Sequence, residues 1–196
     1  MIAFLRGKIT HKEPAFVVLE VNGVGYQVMI SLTTFTSLKE QEVVTLQTVL
    51  VVREDAHLLY GFHSSAEKQM FQWLTSVNGI GPGTAILVLS YLTPDKVCEA
   101  ILAEDIRTLQ SVKGVGGKTA QRMVLELRDK VRREAGDPAT GSSGVTGNTV
   151  RSEALSALMT LGIPRAAAEK NIDGILKMHG NAISLEELVK LALKTA

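Results

Sequence analysis

Residues 111–120 read SVKGVGGKTA, and residues 76–85 read SVNGIGPGTA. The two stretches lie thirty-five residues apart and share Ser, Val, two Gly, Thr and Ala in matching places. Repetition at this spacing indicates one supersecondary unit used twice. A glycine-rich run ending in Lys-Thr also suggests a nucleotide loop, but the spacing excludes one. A Walker loop has a glycine five positions before the Gly-Lys-Thr glycine, and counting back from Gly117 reaches Val112. A dinucleotide fingerprint needs a glycine at position 119, where Thr119 stands. No cofactor is expected.

What remains is a glycine turn opening a helix. The first turn of a helix carries unsatisfied N–H groups and a partial positive charge, and glycine lacks the Cβ that would keep a phosphate away. The candidate contacts are Asn78, Gly79, Gly81, Gly83 and Thr84 in the first copy. In the second they are Gly114, Gly116, Gly117, Lys118, Thr119 and Arg122. Two such sites suit the two strands of a duplex across a minor groove. Backbone amides recognise phosphate, so binding is expected to ignore base sequence. The competing explanation is a helix-connecting turn whose glycines permit close packing, and the matched second copy weighs against it. Gly83 stands where the second copy has Lys118, which makes the first copy chemically weaker.

The whole chain has 196 residues, 45% of them hydrophobic and 21% charged, with a formal net charge of +1. That length accommodates one large domain or two to three small ones. The single Cys98 excludes an internal disulfide and suits a reducing cytosol. Arg6 and Lys8 interrupt the N-terminal apolar stretch, so it is no signal peptide. No run reaches the length of a membrane span. A cytoplasmic protein is expected. Net charge alone does not announce a nucleic-acid binder. The span 63–134, however, has ten basic and eight acidic side chains, and it is the only region with a positive balance.

Three regions follow one another. Up to about residue 63 the pattern alternates with period two: AFVVLEV and YQVMIS flank NGVG, a strong hairpin signal. EVVTLQTVLVV and HLLYGF follow, separated by REDA, and TTFTSL is expected to form a helical turn before them. This element order is that of an OB-type barrel over 1–63. From 64 to 134 the period becomes helical, with Met70, Phe71, Leu74 and Val77 on one face and Val97, Ile101 and Leu102 on another. Residues 135–149, AGDPATGSSGVTGNT, have no apolar periodicity and are expected to be a flexible linker. Residues 150–196 are expected to form three helices, with Gly162 capping the first and Pro164 starting the next. The expected fold class is therefore α+β and multidomain.

Taken in order, MIAFLRGKI, REDAHLLYGF, NGIGPGTA and GVGGKTAQRMVLEL closely resemble the RuvA family of bacterial Holliday-junction-binding proteins, and the likeness covers the whole chain. The resemblance implies an OB barrel, a tandem helix-hairpin-helix domain and a mobile third domain. It implies homotetramers, or paired tetramers, that hold a four-way DNA junction open and flat. It further implies partnership with the RuvB hexameric ATPase, which drives branch migration, and with the RuvC resolvase. Four weakly basic chains around one junction would bind multivalently. Glu54 and Asp55 in REDA, otherwise a solvated turn, become under this resemblance an acidic pin at the junction centre. Leu158, Leu161, Ile163 and Leu193 become the RuvB-facing set, the alternative being that all four are core. The C-terminal helix supports a docking role: Leu185, Leu188, Val189 and Ala192 form one apolar face, and Leu191 and Leu193 widen it.

Two other functions compete with a non-catalytic junction scaffold. A helix-hairpin-helix glycosylase would need a catalytic aspartate beyond the hairpin, and Asp137 stands in a linker without apolar context. A single-strand-binding OB protein would need exposed aromatics, for which Phe4, Phe16, Tyr26 and Phe35 are the candidates. His11, His57, His63 and His179 lack metal-ligand spacing. Phe71 and Trp73 are expected in the core or at an interface.

Overall fold

Asn22 and Gly23 both adopt positive φ, 50° and 85°, which a two-residue hairpin turn of the right twist requires. They join β2 (Phe16–Val21) to β3 (Val24–Met29), with Val21 paired to Val24. Together with β1 (Phe4–Glu13), β4 (Val43–Val52) and β5 (His57–Phe62) these strands close a barrel in the order β1-β2-β3-β5-β4. One ladder, β3 with β5, is parallel, and the others are antiparallel. Alternation places Val17, Leu19, Val28, Val44 and Leu46 inside. Helix α1 (Leu32–Leu38) lies between β3 and β4, capped by Ser31. This is the OB-type order that the alternating pattern predicts.

The computed structural model describes residues 1–39, 41–134, 147–179 and 183–194. Most of the linker expected over 135–149, Asp137 included, lies outside them. The chain divides into two compact units, Met1–Asp137 and Pro138–Ala196.

In the first unit, five helices follow the barrel: α2 (Ser65–Ser76), α3 (Pro82–Tyr91), α4 (Pro94–Leu102), α5 (Ile106–Gln110) and α6 (Gly117–Glu134). Their starts follow local chemistry. Ser64, Thr93 and Asp105 cap α2, α4 and α5 through side-chain oxygens, and Pro82 and Pro94 occupy first-turn positions where no N–H is missed. The change from strand to helix near residue 63 does not interrupt the packing. Tyr60 and Phe62 of β5 lie in the same core as Phe71, with ring centroids 5.1 and 4.9 Å away. Barrel and helices therefore share a hydrophobic core and form one unit. Leu102, expected inside with Val97 and Ile101, is exposed. Ala100 is buried instead, because Val97, Ala100 and Ile101 fall at the i, i+3, i+4 spacing of one helical face and Leu102 does not.

The second unit holds α7 (Gly147–Thr160), α8 (Arg165–His179) and α9 (Leu185–Lys194). Helix α7 begins at Gly147, three residues before the expected start of this domain. It ends as a Schellman motif: Gly162, at φ 91°, donates to Met159 O (3.0 Å), and Ile163 N donates to Leu158 O (3.0 Å). Pro164 precedes α8 and accepts from Ala168 N (3.0 Å), so it occupies the cap position and not the first turn. Ala154, Leu158, Ala168, Ile172, Leu188 and Ala192 form the centre of this core.

Candidate nucleic-acid interface

The two glycine hairpins have the same internal construction. In the first, Val77 N donates to Leu74 O, Ile80 N to Val77 O and Ala85 N to Gly81 O. In the second, Val112 N donates to Leu109 O, Val115 N to Val112 O and Ala120 N to Gly116 O. Val77, Ile80 and Ala85 are buried, as are Val112, Val115 and Ala120. Each hairpin thus anchors itself through apolar side chains and turns its polar backbone outward.

The glycines have different roles. Gly79 and Gly114 both have φ 95°, a conformation that side-chain-bearing residues rarely adopt. Around Gly81, Gly83 and Gly116 the position of a Cβ is open space, so these glycines keep the approach to the helix free. Gly81 is the N-cap of α3 and offers no side-chain cap, and Gly116 holds the corresponding place before α6. The first-turn amides of α3 thus have no side-chain cap, an arrangement that suits an anion. At Gly117 a Cβ would come within 2.8 Å of Gln110 Nε2, the end of an exposed and flexible side chain that can move aside.

Asn78, Gly79, Gly81 and Gly83 are exposed, and so are Gly114, Gly116, Gly117, Lys118 and Arg122. Thr84 and Thr119 are only half-exposed. Thr84 turns its methyl group toward Gly114, and Thr119 its hydroxyl toward Gly79. The two threonines form the seam between the hairpins, a role that a motif-by-motif reading misses. Such a reading also misses Lys113, exposed in the place matching Asn78, and Lys130, whose Nζ donates to Ser76 Oγ at 3.0 Å just before the first hairpin.

Glu54 and Asp55 occupy the two-residue tip between β4 and β5, closed by Arg53 N donating to Ala56 O at 2.8 Å. Both are exposed, and among the described residues neither has a hydrogen-bond or ion-pair partner. Among the described residues Arg53 makes no ion pair with either. Its charge is felt at Tyr60, where burial pushes the phenol up and the guanidinium pulls against that rise.

The four leucine and isoleucine candidates of the C-terminal unit separate. Leu158 is 0% exposed and belongs to the core, so it is unavailable to a partner. Leu161 and Leu193 are 60% and 44% exposed, and Ile163 packs partly against the core. Leu191 also turns inward. Glu153, Ser156, Ala157, Thr160 and Leu161 line one shallow surface recess.

Among the described residues no group of His, Cys, Asp and Glu is placed to hold a metal, and no helix is long and apolar enough to cross a membrane. Of the barrel aromatics, only Phe4 stands exposed; Phe16, Tyr26 and Phe35 are half-buried. His11 stacks on Phe16, and Lys12 lies over Phe35, 4.8 Å from its centroid. That is a poor stacking platform for single strands. Phe71 is core and Trp73 packs partly against it.

Comparison with known families accounts for nearly the whole chain. Residues 1–61 match the RuvA N-terminal domain, 71–129 a SAM-like helix-hairpin-helix tandem, and 149–196 the RuvA C-terminal domain. A protein of Cytophaga hutchinsonii named Holliday junction branch migration complex subunit RuvA is 52% identical over 99% of both chains. Proteins of the same name from Christiangramia forsetii and Amoebophilus asiaticus are 46% and 47% identical, again over 99% of this chain and 99–100% of theirs. With three domain matches in order and identity near one half from end to end, the chain belongs to the RuvA family.

Proposed function

We propose that this protein binds four-way junction DNA without regard to sequence and couples it to a branch-migration motor. One observation carries this: two identically built hairpins, packed against each other, each open a helix on a glycine where a Cβ would meet only open space. Such a pair suits two phosphate backbones at a fixed separation. Lys118 and Arg122 add charge at the second hairpin, with Lys113 and Lys130 beside them. Glu54 and Asp55, projecting without counter-ions, would repel phosphate and favour an open junction centre over continuous duplex. The protein itself is non-catalytic in this account, and assembly into a tetramer brings one hairpin pair to each arm.

The domains then divide the work: a barrel over 1–63 carries the pin, 64–134 grips DNA, 135–149 tethers, and 150–196 meets RuvB. In the last, Leu161, Leu193 and the edge of Ile163 are the surface suited to docking, while Leu158 supports them from within. RuvC would act on the junction so held.

Gel-shift titration of four-way junction, linear duplex and single strand tests the central claim. Tightest binding to the junction is expected, and equal affinity for all three would refute it. A chain ending at Glu134 should keep junction binding and lose stimulation of RuvB-driven branch migration; undiminished stimulation would refute the adaptor role.

A further inference from the structure

Glu67 is 2% exposed, on the face of α2 that also carries Met70, Phe71 and Leu74. The run Ser64-Ser65-Ala66-Glu67 has the form of a capping box, in which the glutamate would reach back to the cap's own N–H. Half of the box is present: Ser64 Oγ accepts from Glu67 N at 3.1 Å. The carboxyl, however, is turned to the barrel. Ser31 Oγ donates to its Oε1, and Thr34 Oγ1 donates to its Oε2 at 2.6 Å. Ser31 and Thr34, both fully buried, belong to the cap and first turn of α1.

Those hydroxyls have no freedom to bond otherwise. Ser31 Oγ already accepts from Thr34 N (2.9 Å), and Thr34 Oγ1 from His63 N (3.1 Å). Each therefore has a proton to give and needs an acceptor, and two acceptor oxygens on one side chain are what a carboxyl supplies. The same short helix also grips α3: Ser90 Oγ accepts from Leu32 N at 3.0 Å, and Thr33 Oγ1 donates to Leu89 O at 2.6 Å. Helices α2 and α3 flank the first hairpin, while α1 leads into β4, whose far end is the acidic turn.

We infer that Glu67 is a positioning residue: by fixing α2 to α1 it holds the first glycine hairpin in register with Glu54 and Asp55, and so sets the preference for junction over duplex. This rests on the function proposed above. Continuous duplex held by the hairpins meets the repulsion of a pin kept in register, whereas an open junction places its centre there.

The test uses the full chain with Glu67→Gln and, as a second variant, Ser31→Ala, which keeps the Thr34 bond to Glu67 but also removes the α1 cap. Glutamine leaves one hydroxyl proton facing a donor. Dissociation constants for four-way junction and for linear duplex are measured in the native background and in Glu54→Gln/Asp55→Asn. The junction-to-duplex preference should fall about tenfold for Glu67→Gln, as for loss of a buried hydrogen bond, and less for Ser31→Ala. Neither should alter preference once the pin is neutral. Equal losses on both substrates, an unchanged preference, or a loss that persists without the pin would overturn the inference; if Glu67→Gln does not fold, Ser31→Ala decides alone. A native chain without junction preference would sink the underlying function and this inference with it, whereas failure confined to these variants leaves that function standing.

Discussion

Gly79 lies against Thr119: a Cβ on the glycine would be 3.9 Å from the threonine Oγ1, and Gly114 stands in the same relation to Thr84, at 3.8 Å from its Cγ2. Each hairpin's glycine thus faces the helix that follows the other hairpin, the mutual exchange expected of a local two-fold. The space is ordinary van der Waals distance, so the constraint on these glycines is their φ of 95°. Gly79→Ala and Gly114→Ala should each cost about 1–2 kcal/mol in stability and weaken DNA binding together with it. Denaturant unfolding alongside gel shifts would show this, and unchanged stability would contradict it.

Gly116 is expected to behave in the opposite way. Its surroundings are open and it stands at a helix cap, where serine is at least as favourable as glycine. Gly116→Ser should leave the melting temperature level or raise it. The new hydroxyl accepts from the very amides a phosphate would use, so affinity for DNA should fall. Stability and binding moving in the same direction would show that the amides are not the site.

Lys118 is exposed beside the second hairpin. Lys118→Ala should weaken binding to every sequence alike. The log–log salt dependence should flatten by about one unit for each phosphate that the lysine no longer neutralises. Weakening confined to particular base sequences, with the slope intact, would speak against recognition of the backbone.

The unpartnered carboxylates of Glu54 and Asp55 make a prediction of opposite sign. Glu54→Gln/Asp55→Asn should raise affinity for plain duplex more than for junction, because repulsion at the centre penalises continuous DNA. High salt should shrink the difference. Equal gains on both substrates would reduce the effect to net charge.

Arg151 and Asp173 form a forked pair, Nε to Oδ1 at 2.8 Å and Nη2 to Oδ2 at 3.1 Å, joining α7 to α8. The Arg151 hydrogen bonds, with its charge, hold the Asp173 carboxyl below the usual carboxylate range against a smaller opposing effect of burial. A lowered folded pKa contributes stability above the unfolded value of about 3.9, and that contribution disappears as pH falls through the folded value. Asp173→Asn should therefore destabilise at neutral pH by less than about 1 kcal/mol, since both groups are partly solvated. Melts of the variant and the native chain should converge in acid, and a gap that widens there would refute the assignment.

Features that depend on a few consecutive residues are legible in the chain alone. The Asn22-Gly23 turn follows from two positive φ angles, and the repeated hairpin follows from glycines at matching places. The exchange of period two for helical period near residue 63 separates strands from helices. Each depends on backbone conformation or on alternation along one element, which neighbours in sequence set. Which apolar residues are covered and which polar ones are enclosed depends instead on how the elements pack. Leu158 lies in the last turn of α7 and Leu161 just past its end, yet the first is core and the second exposed, because α8 and α9 cover one side only. Glu67 continues the Met70, Phe71 and Leu74 stripe, a charged residue in apolar register, but only the approach of Ser31 and Thr34 gives its carboxyl partners. Thr84 and Thr119, as sequence, are hydroxyls at helix starts, and they become a seam only where two hairpins thirty-five residues apart meet.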